Sequence, residues 1–163
     1  MKRKFGVLAL ALAFGLFVAA CGGGSDSSSG GGSAGGDRLS KADYITQVKV
    51  VGDKMNTTMA ALGETSSDPK AGGKQFEQLS KALKGAAADL AAINPPKEVE
   101  SAHKNFAEGI SMLADEIGKA GEGMMSGDMG EAMSFVGTLA NSKAMRKIQS
   151  AADELEKAGY SVG

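Results

Sequence analysis

The chain has 163 residues, with 18 basic and 19 acidic side chains, 24 glycines, one cysteine and one histidine. One cysteine excludes an internal disulfide framework, and one histidine excludes a multi-histidine metal centre. A formal charge of −1 with no polybasic run beyond the extreme N-terminus lacks the basic face that nucleic-acid binding requires.

Residues 1–20 read as a secretory signal peptide. Met1-Lys2-Arg3-Lys4 is a basic start, and Phe5 to Ala20 is apolar apart from Gly6 and Gly15. That run is shorter than the about 20 apolar residues a membrane-spanning helix needs, and it matches a signal h-region. Val18-Ala19-Ala20-Cys21 closes it with the form of a bacterial lipobox. Cleavage is therefore expected between Ala20 and Cys21, with the Cys21 sulfur carrying diacylglycerol through a thioether. The expected product is a palmitate-type lipoprotein of the cell membrane, held by lipid at its extracytoplasmic face. Removing Lys2, Arg3 and Lys4 leaves 15 basic against 19 acidic residues, a formal charge of −4. Headgroup attraction is then weak, and attachment must come from acyl chains, at about 0.8 kcal/mol per buried CH₂.

Residues 21–36, CGGGSDSSSGGGSAGG, have almost no apolar surface to bury. They read as a disordered tether with an r.m.s. reach of roughly 20–25 Å. Residues 37–163 read as one domain of ordinary size.

Within that domain, apolar residues recur at spacings of three and four, which marks amphipathic helices. The first stretch carries Ile45, Val48, Met55, Met59 and Leu62 behind a capping-box pattern at Ser40 and Asp43, with Gly63 as a stop. The second carries Phe76, Leu79, Leu83, Ala86, Leu90 and Ile93. Asp68-Pro69 opens it, Gly72-Gly73 weakens its first turn, and Asn94-Pro95-Pro96 ends it. The third, from Pro96, carries Val99, His103, Phe106, Ile110, Leu113, Ile117 and Met124, with Gly118, Gly121, Gly123 and Gly127 fraying its end. The fourth opens at Asp128 and runs as one helix through Met133, Val136, Ala140, Ala144, Ile148, Ala152 and Leu155 to Gly159. No stretch alternates with period two. The pattern predicts an all-α, four-helix up-down-up-down bundle behind a cleaved signal peptide and a tether.

Few residues suggest chemistry. His103 falls on the apolar stripe near a bundle end, where a packed and partly exposed ring is expected. Its alternative role is as a metal, haem or proton-transfer residue. Met124, Met125, Met129 and Met133 form a methionine cluster whose soft thioethers suit Cu(I), although methionine also fills irregular core gaps. A spacing of four would align Met125, Met129 and Met133 on one helix face, with Gly127-Asp128 interrupting it. The adjacent carboxylates Asp115-Glu116 and Asp153-Glu154 point about 100° apart on a helix and cannot converge on one atom. Any catalytic triad would have to use His103, and no cofactor is implied. The residues point away from an enzyme.

The lipobox, the Gly/Ser tether, Leu39-Ser-Lys-Ala-Asp-Tyr44-Ile45, and Leu90-Ala-Ala-Ile93-Asn-Pro95-Pro96 with His103 downstream resemble a group of small actinobacterial lipoproteins. The group shares an LSKAxYI opening and an LxxLxPP element before a histidine-containing helix. The resemblance covers about a third of the chain and implies an extracytoplasmic helical domain of unassigned function. The expected role is a membrane-anchored, non-enzymatic binding or scaffolding domain for another envelope protein. The alternative is a bundle that binds a small ligand or a metal such as copper.

Overall fold

The computed structural model describes residues 38–62 and 68–161, without the side chains of Leu62, Met129, Glu131 and Val136. The signal peptide, the cleavage site at Ala20 and Cys21, the tether and the Gly63 stop lie outside the described residues.

Four of the five α-helices, all but α3, begin where a short polar side chain satisfies an otherwise unpaired backbone N–H. At the start of α1 (Lys41–Leu62), Ser40 Oγ accepts from the Asp43 N–H at 3.2 Å and donates to the Asp43 carboxylate at 2.7 Å. α2 (Pro69–Ala91) is capped by Asp68, which accepts from the Lys70 N–H, with Pro69 at the first helical position. A 3₁₀ turn at Lys97–Val99 leads into α3 (Glu100–Ser126), which stops at Gly127 in the left-handed conformation (φ 86°). Asp128 caps α4 (Met129–Thr138) by accepting from the Gly130 N–H at 3.0 Å. Ser142 caps α5 (Lys143–Lys157) by accepting from the Met145 N–H at 3.2 Å. The fold is all-α, and no strand occurs among the described residues.

The expected fourth helix is two helices. A 3₁₀ turn at Leu139–Asn141 separates α4 from α5, and Ser142 is extended (ψ 157°). Periodicity carried across the break because Ala140 and Ala144 keep a helical spacing. The local chemistry favours a stop, with Gly137, Thr138 and Asn141 poor helix formers and Ser142 a ready cap. The buried stripe also shifts. Ala132, Ala144, Ala151 and Leu155 are buried, whereas Met133 is 68% exposed and Ala140 lies on the surface.

α3 is the centre of the fold, with α2, α5 and α4 all packed on it, while α1 rests mainly on α2. α2 and α3 run antiparallel, so Gly73 meets Gly121 at one end, Ser80 meets Ala114 midway and Leu90 meets His103 at the other. The buried Ser80 hydroxyl donates to the Ala114 carbonyl at 2.7 Å. Phe76 of α2 and Phe135 of α4 meet edge to face at 6.2 Å. The core combines Val48, Leu83, Leu90, Val99, Ile110, Ile117 and Leu155 with small alanines at 87, 102, 107 and 114.

Of the glycines expected to fray the end of α3, Gly118, Gly121 and Gly123 sit inside the helix and only Gly127 ends it. A Cβ on Gly121 would lie 2.9 Å from the Gly73 carbonyl oxygen, and one on Gly73 would lie 2.7 Å from the Gly121 oxygen. A Cβ on Gly109 would lie 2.7 Å from Ile148 Cγ1 and 3.1 Å from the Ile148 nitrogen. These positions bring helix backbones together with no room for a methyl group, so the helical entropy lost at glycine is offset by contact.

Gly121→Ala is expected to lower stability in urea unfolding by about 1–3 kcal/mol, the cost of overpacking against backbone. Gly85→Ala, where nothing lies within 4 Å of the new Cβ, is expected to raise it by about 0.5–1 kcal/mol.

Candidate functional site

The end of the domain where the chain emerges from residue 37 is built from polar side chains on every neighbouring element. Arg38 donates to the Pro95 carbonyl at 3.1 Å and pairs with Glu100 at 2.8 Å, while the Leu39 N–H bonds the Asn94 carbonyl. These contacts strap the start of the domain to the α2–α3 connection.

Beneath this strap lies His103, in the first turns of α3. It is only 4% exposed, against the partial exposure expected from its place near a bundle end. Tyr44 of α1 packs edge to face on it at 5.4 Å, and Tyr160, which follows α5, stacks in turn on Tyr44. His103 Nε2 lies 2.9 Å from the Leu90 carbonyl, and Nδ1 lies 3.0 Å from the Tyr44 hydroxyl. A carbonyl only accepts, so Nε2 carries the proton, Nδ1 is the acceptor and Tyr44 donates to it. Leu90 O, in the last turn of α2, also accepts from the Ile93 N–H at 2.9 Å, so His103 adds a second, side-chain bond that ties α3 to the end of α2.

Burial holds the His103 pKa below its ordinary value, the hydrogen bond to Leu90 opposing that shift only in part. Burial pushes the Tyr44 pKa up to about 12, with Tyr160 adding to the effect. Tyr160 donates to Glu98 at 2.5 Å and stacks edge to face on Tyr44 at 5.5 Å, with Lys41 Nζ 4.7 Å from its ring centroid. The bond to Glu98, with burial and the carboxylate charge, raises Tyr160 to about 12, and the same bond lowers Glu98. Every buried side-chain nitrogen and oxygen among the described residues has a partner. The cluster is a closed network of a neutral imidazole and two neutral phenols. A metal at His103 would have to displace either Tyr44 or Leu90.

The methionine cluster lies at the other end of α3, about 30 Å from His103 by helix rise, so the two do not form one site. Met124 and Met125 are half-buried in the last turn of α3, with Met125 packed over Gly73. Met129 and Met133 follow on α4, and the Met129 side chain is outside the description. The left-handed turn at Gly127 takes the chain out of the helix, so Met125, Met129 and Met133 do not share one helix face as their spacing suggests. Among the described residues, no group of three or more His, Cys, Asp or Glu could hold a metal ion.

The sequence alone did not reveal Tyr44 as the partner of His103, or Tyr160 as the ring stacked on Tyr44. The available signal was that these are the chain's two tyrosines, and that a buried phenol needs a hydrogen-bond partner.

The folded His103 pKa is depressed, so its contribution to stability is complete above pH 6.5 and declines as pH falls below it, where the unfolded chain takes the proton first. Glu77, Glu98 and Glu108 also have lowered pKa values and act further down, below about pH 4.5. His103→Gln should therefore flatten the stability profile between pH 6.5 and 5. Tyr44→Phe should cost about 1–2 kcal/mol at pH 7, because it leaves Nδ1 buried without a donor. In the folded chain, phenolate absorbance should appear near pH 12, against about pH 10 when unfolded.

No protein-family model, curated protein or solved structure matches this chain.

Proposed function

We propose that the chain is a bacterial lipoprotein, anchored through lipid on Cys21 at the extracytoplasmic face of the cell membrane. Its helical domain is a non-enzymatic module that binds or scaffolds another envelope protein. The observation that carries the non-enzymatic reading is His103, the one histidine of the chain, with both ring nitrogens engaged inside the fold. The anchoring reading rests on the Val18-Ala19-Ala20-Cys21 sequence behind an apolar run and a basic start. Among the described residues no helix is long and apolar enough to cross a membrane, and the lipid supplies the attachment.

The finer architecture belongs to the same proposal. α1, α2 and α3, with α4 and α5 together as a broken fourth rod, make an up-down-up-down bundle. The antiparallel sequence of contacts from α1 to α2, α2 to α3 and α3 to α5 supports it. The Leu39–Ile45 and Leu90–Pro96 segments meet through the Leu39–Asn94 and His103–Leu90 bonds. That meeting gives a physical role to the elements shared with the small actinobacterial lipoproteins.

A second reading, Cu(I) binding at Met124, Met125, Met129 and Met133, is favoured by the 68% exposure of Met133 beside the α3–α4 turn. Titration with Cu(I) against a competing chelator decides it. Binding tighter than micromolar supports it, and weaker binding removes it.

For the principal reading, Cys21→Ser should abolish incorporation of labelled palmitate and leave the precursor uncleaved in the producing cell. Labelled acyl chain on that variant would contradict the anchor. Affinity capture of the wild-type chain from detergent-solubilised envelope should recover one partner in stoichiometric amount.

A further inference from the structure

We propose that the surface where α3, α4 and α5 meet binds an anionic amphiphile, a phosphate or carboxylate bearing a short apolar chain. This deepens the binding-module reading above and rests on it only for the non-enzymatic role.

Two shallow surface depressions of about 320 and 430 Å³ lie there, both open to solvent, and Lys143 lines both. Lys143, Arg146 and Lys147 wall the first, with Asn105 of α3 and Ser150 supplying neutral hydrogen-bonding groups. Phe135 and Ala120 are apolar residues lining the second, together with Lys119 and Glu116. The break at Leu139–Asn141 sets Phe135 of α4 and Lys143 of α5 on walls of the same depression. One side therefore offers positive charge and the other apolar surface.

The charge is not fully neutralised within the fold. Lys147 is paired with Glu108 at 2.5 Å, and Arg146 donates through one guanidinium nitrogen to the Asn141 carbonyl. Lys143 has no carboxylate partner among the described residues. The sequence of α5 also runs against its own dipole. Lys143, Arg146 and Lys147 occupy the first turns, whereas Asp153, Glu154 and Glu156, with Lys157 alone beside them, occupy the last. Helices favour the opposite order, so α5 gives up local stability to gather cations around this depression in a domain that is acidic as a whole. An anion seated between Lys143 and Arg146 relieves that repulsion, and its apolar chain reaches the Phe135 side.

The test uses the full mature chain in phosphatidylcholine vesicles, titrated calorimetrically with n-hexyl phosphate, with protein-free vesicles as the blank. Saturable binding is expected, at least about tenfold tighter than for inorganic phosphate. The K143E/R146E variant should lose it, while K49E/K97E, with the same change in net charge elsewhere, should keep it. Both pairs contain only surface lysines and arginine, and helical circular dichroism verifies that each variant is folded. Replacing part of the phosphatidylcholine by phosphatidylglycerol separates the sources. Loss of n-hexyl phosphate binding assigns the site to a lipid headgroup, and unchanged binding assigns it to a free amphiphile. No saturable binding at millimolar ligand, equal affinity for inorganic phosphate, or undiminished binding by K143E/R146E overturns the proposal. None of those results bears on the anchor, which labelling of the Cys21→Ser variant decides separately.

Discussion

Two hydrogen bonds on one imidazole tie together the end of the domain where the chain enters it. His103 donates to the last turn of α2 and accepts from Tyr44 of α1, so one side chain of α3 holds both neighbouring helices. A second ring proton would turn the Tyr44 hydroxyl from donor to acceptor and place a charge in a buried site, which burial disfavours. Burial favours the neutral form, with Tyr44 packed on the ring and Tyr160 stacked on Tyr44. The network thus maintains the condition on which it depends. It matters most for α1, which rests mainly on α2 and reaches the α3 and α5 side through Tyr44.

Away from this end, the helices are held by closeness more than by bulk. Alanine and glycine bury little apolar area each, at about 25 cal/mol per Å². They allow backbones to approach until dispersion contacts are numerous. Gly73 against Gly121 and Gly109 against Ile148 mark two such crossings, on opposite sides of α3. Surface ion pairs, including Lys54 with Asp89, Lys84 with Asp115 and Lys147 with Glu108, follow the same crossings. Pairs so exposed contribute about 0–1 kcal/mol each.

Local chemistry was legible in the sequence where a few neighbouring residues decide the outcome. Ser40, Asp68 and Asp128 cap helices as their positions suggest, and Gly127 and Gly159 end them with positive φ. Outcomes decided by distant residues were hidden. Gly121 reads as a helix weakener until Gly73 is known to lie opposite, because spacing carries no information about which backbone approaches. Met133 fits the apolar stripe by counting, yet the break at Leu139–Asn141 turns α4 and leaves it exposed. The position of His103 on the core face was readable, but its function in the fold was not. Its partners Tyr44 and Leu90 are 59 and 13 residues away in the chain, and Tyr160 lies beyond the final helix stop.

The domain's stability and its proposed recognition chemistry rest on different residues. The tyrosine–histidine network is sealed and uses its polar atoms internally, which suits a structural tie. The cationic depression beside α5 keeps charge that the fold does not neutralise, and Lys143 is available to a ligand. The central claim concerns the tie, and nitrogen-15 NMR of the His103 imidazole tests it most directly. A neutral ring protonated at Nε2, with an unprotonated Nδ1, should persist as pH is lowered through the ordinary histidine value of 6.5. A ring protonated at Nδ1, or one that gains its second proton at or above pH 6.5, would contradict the account.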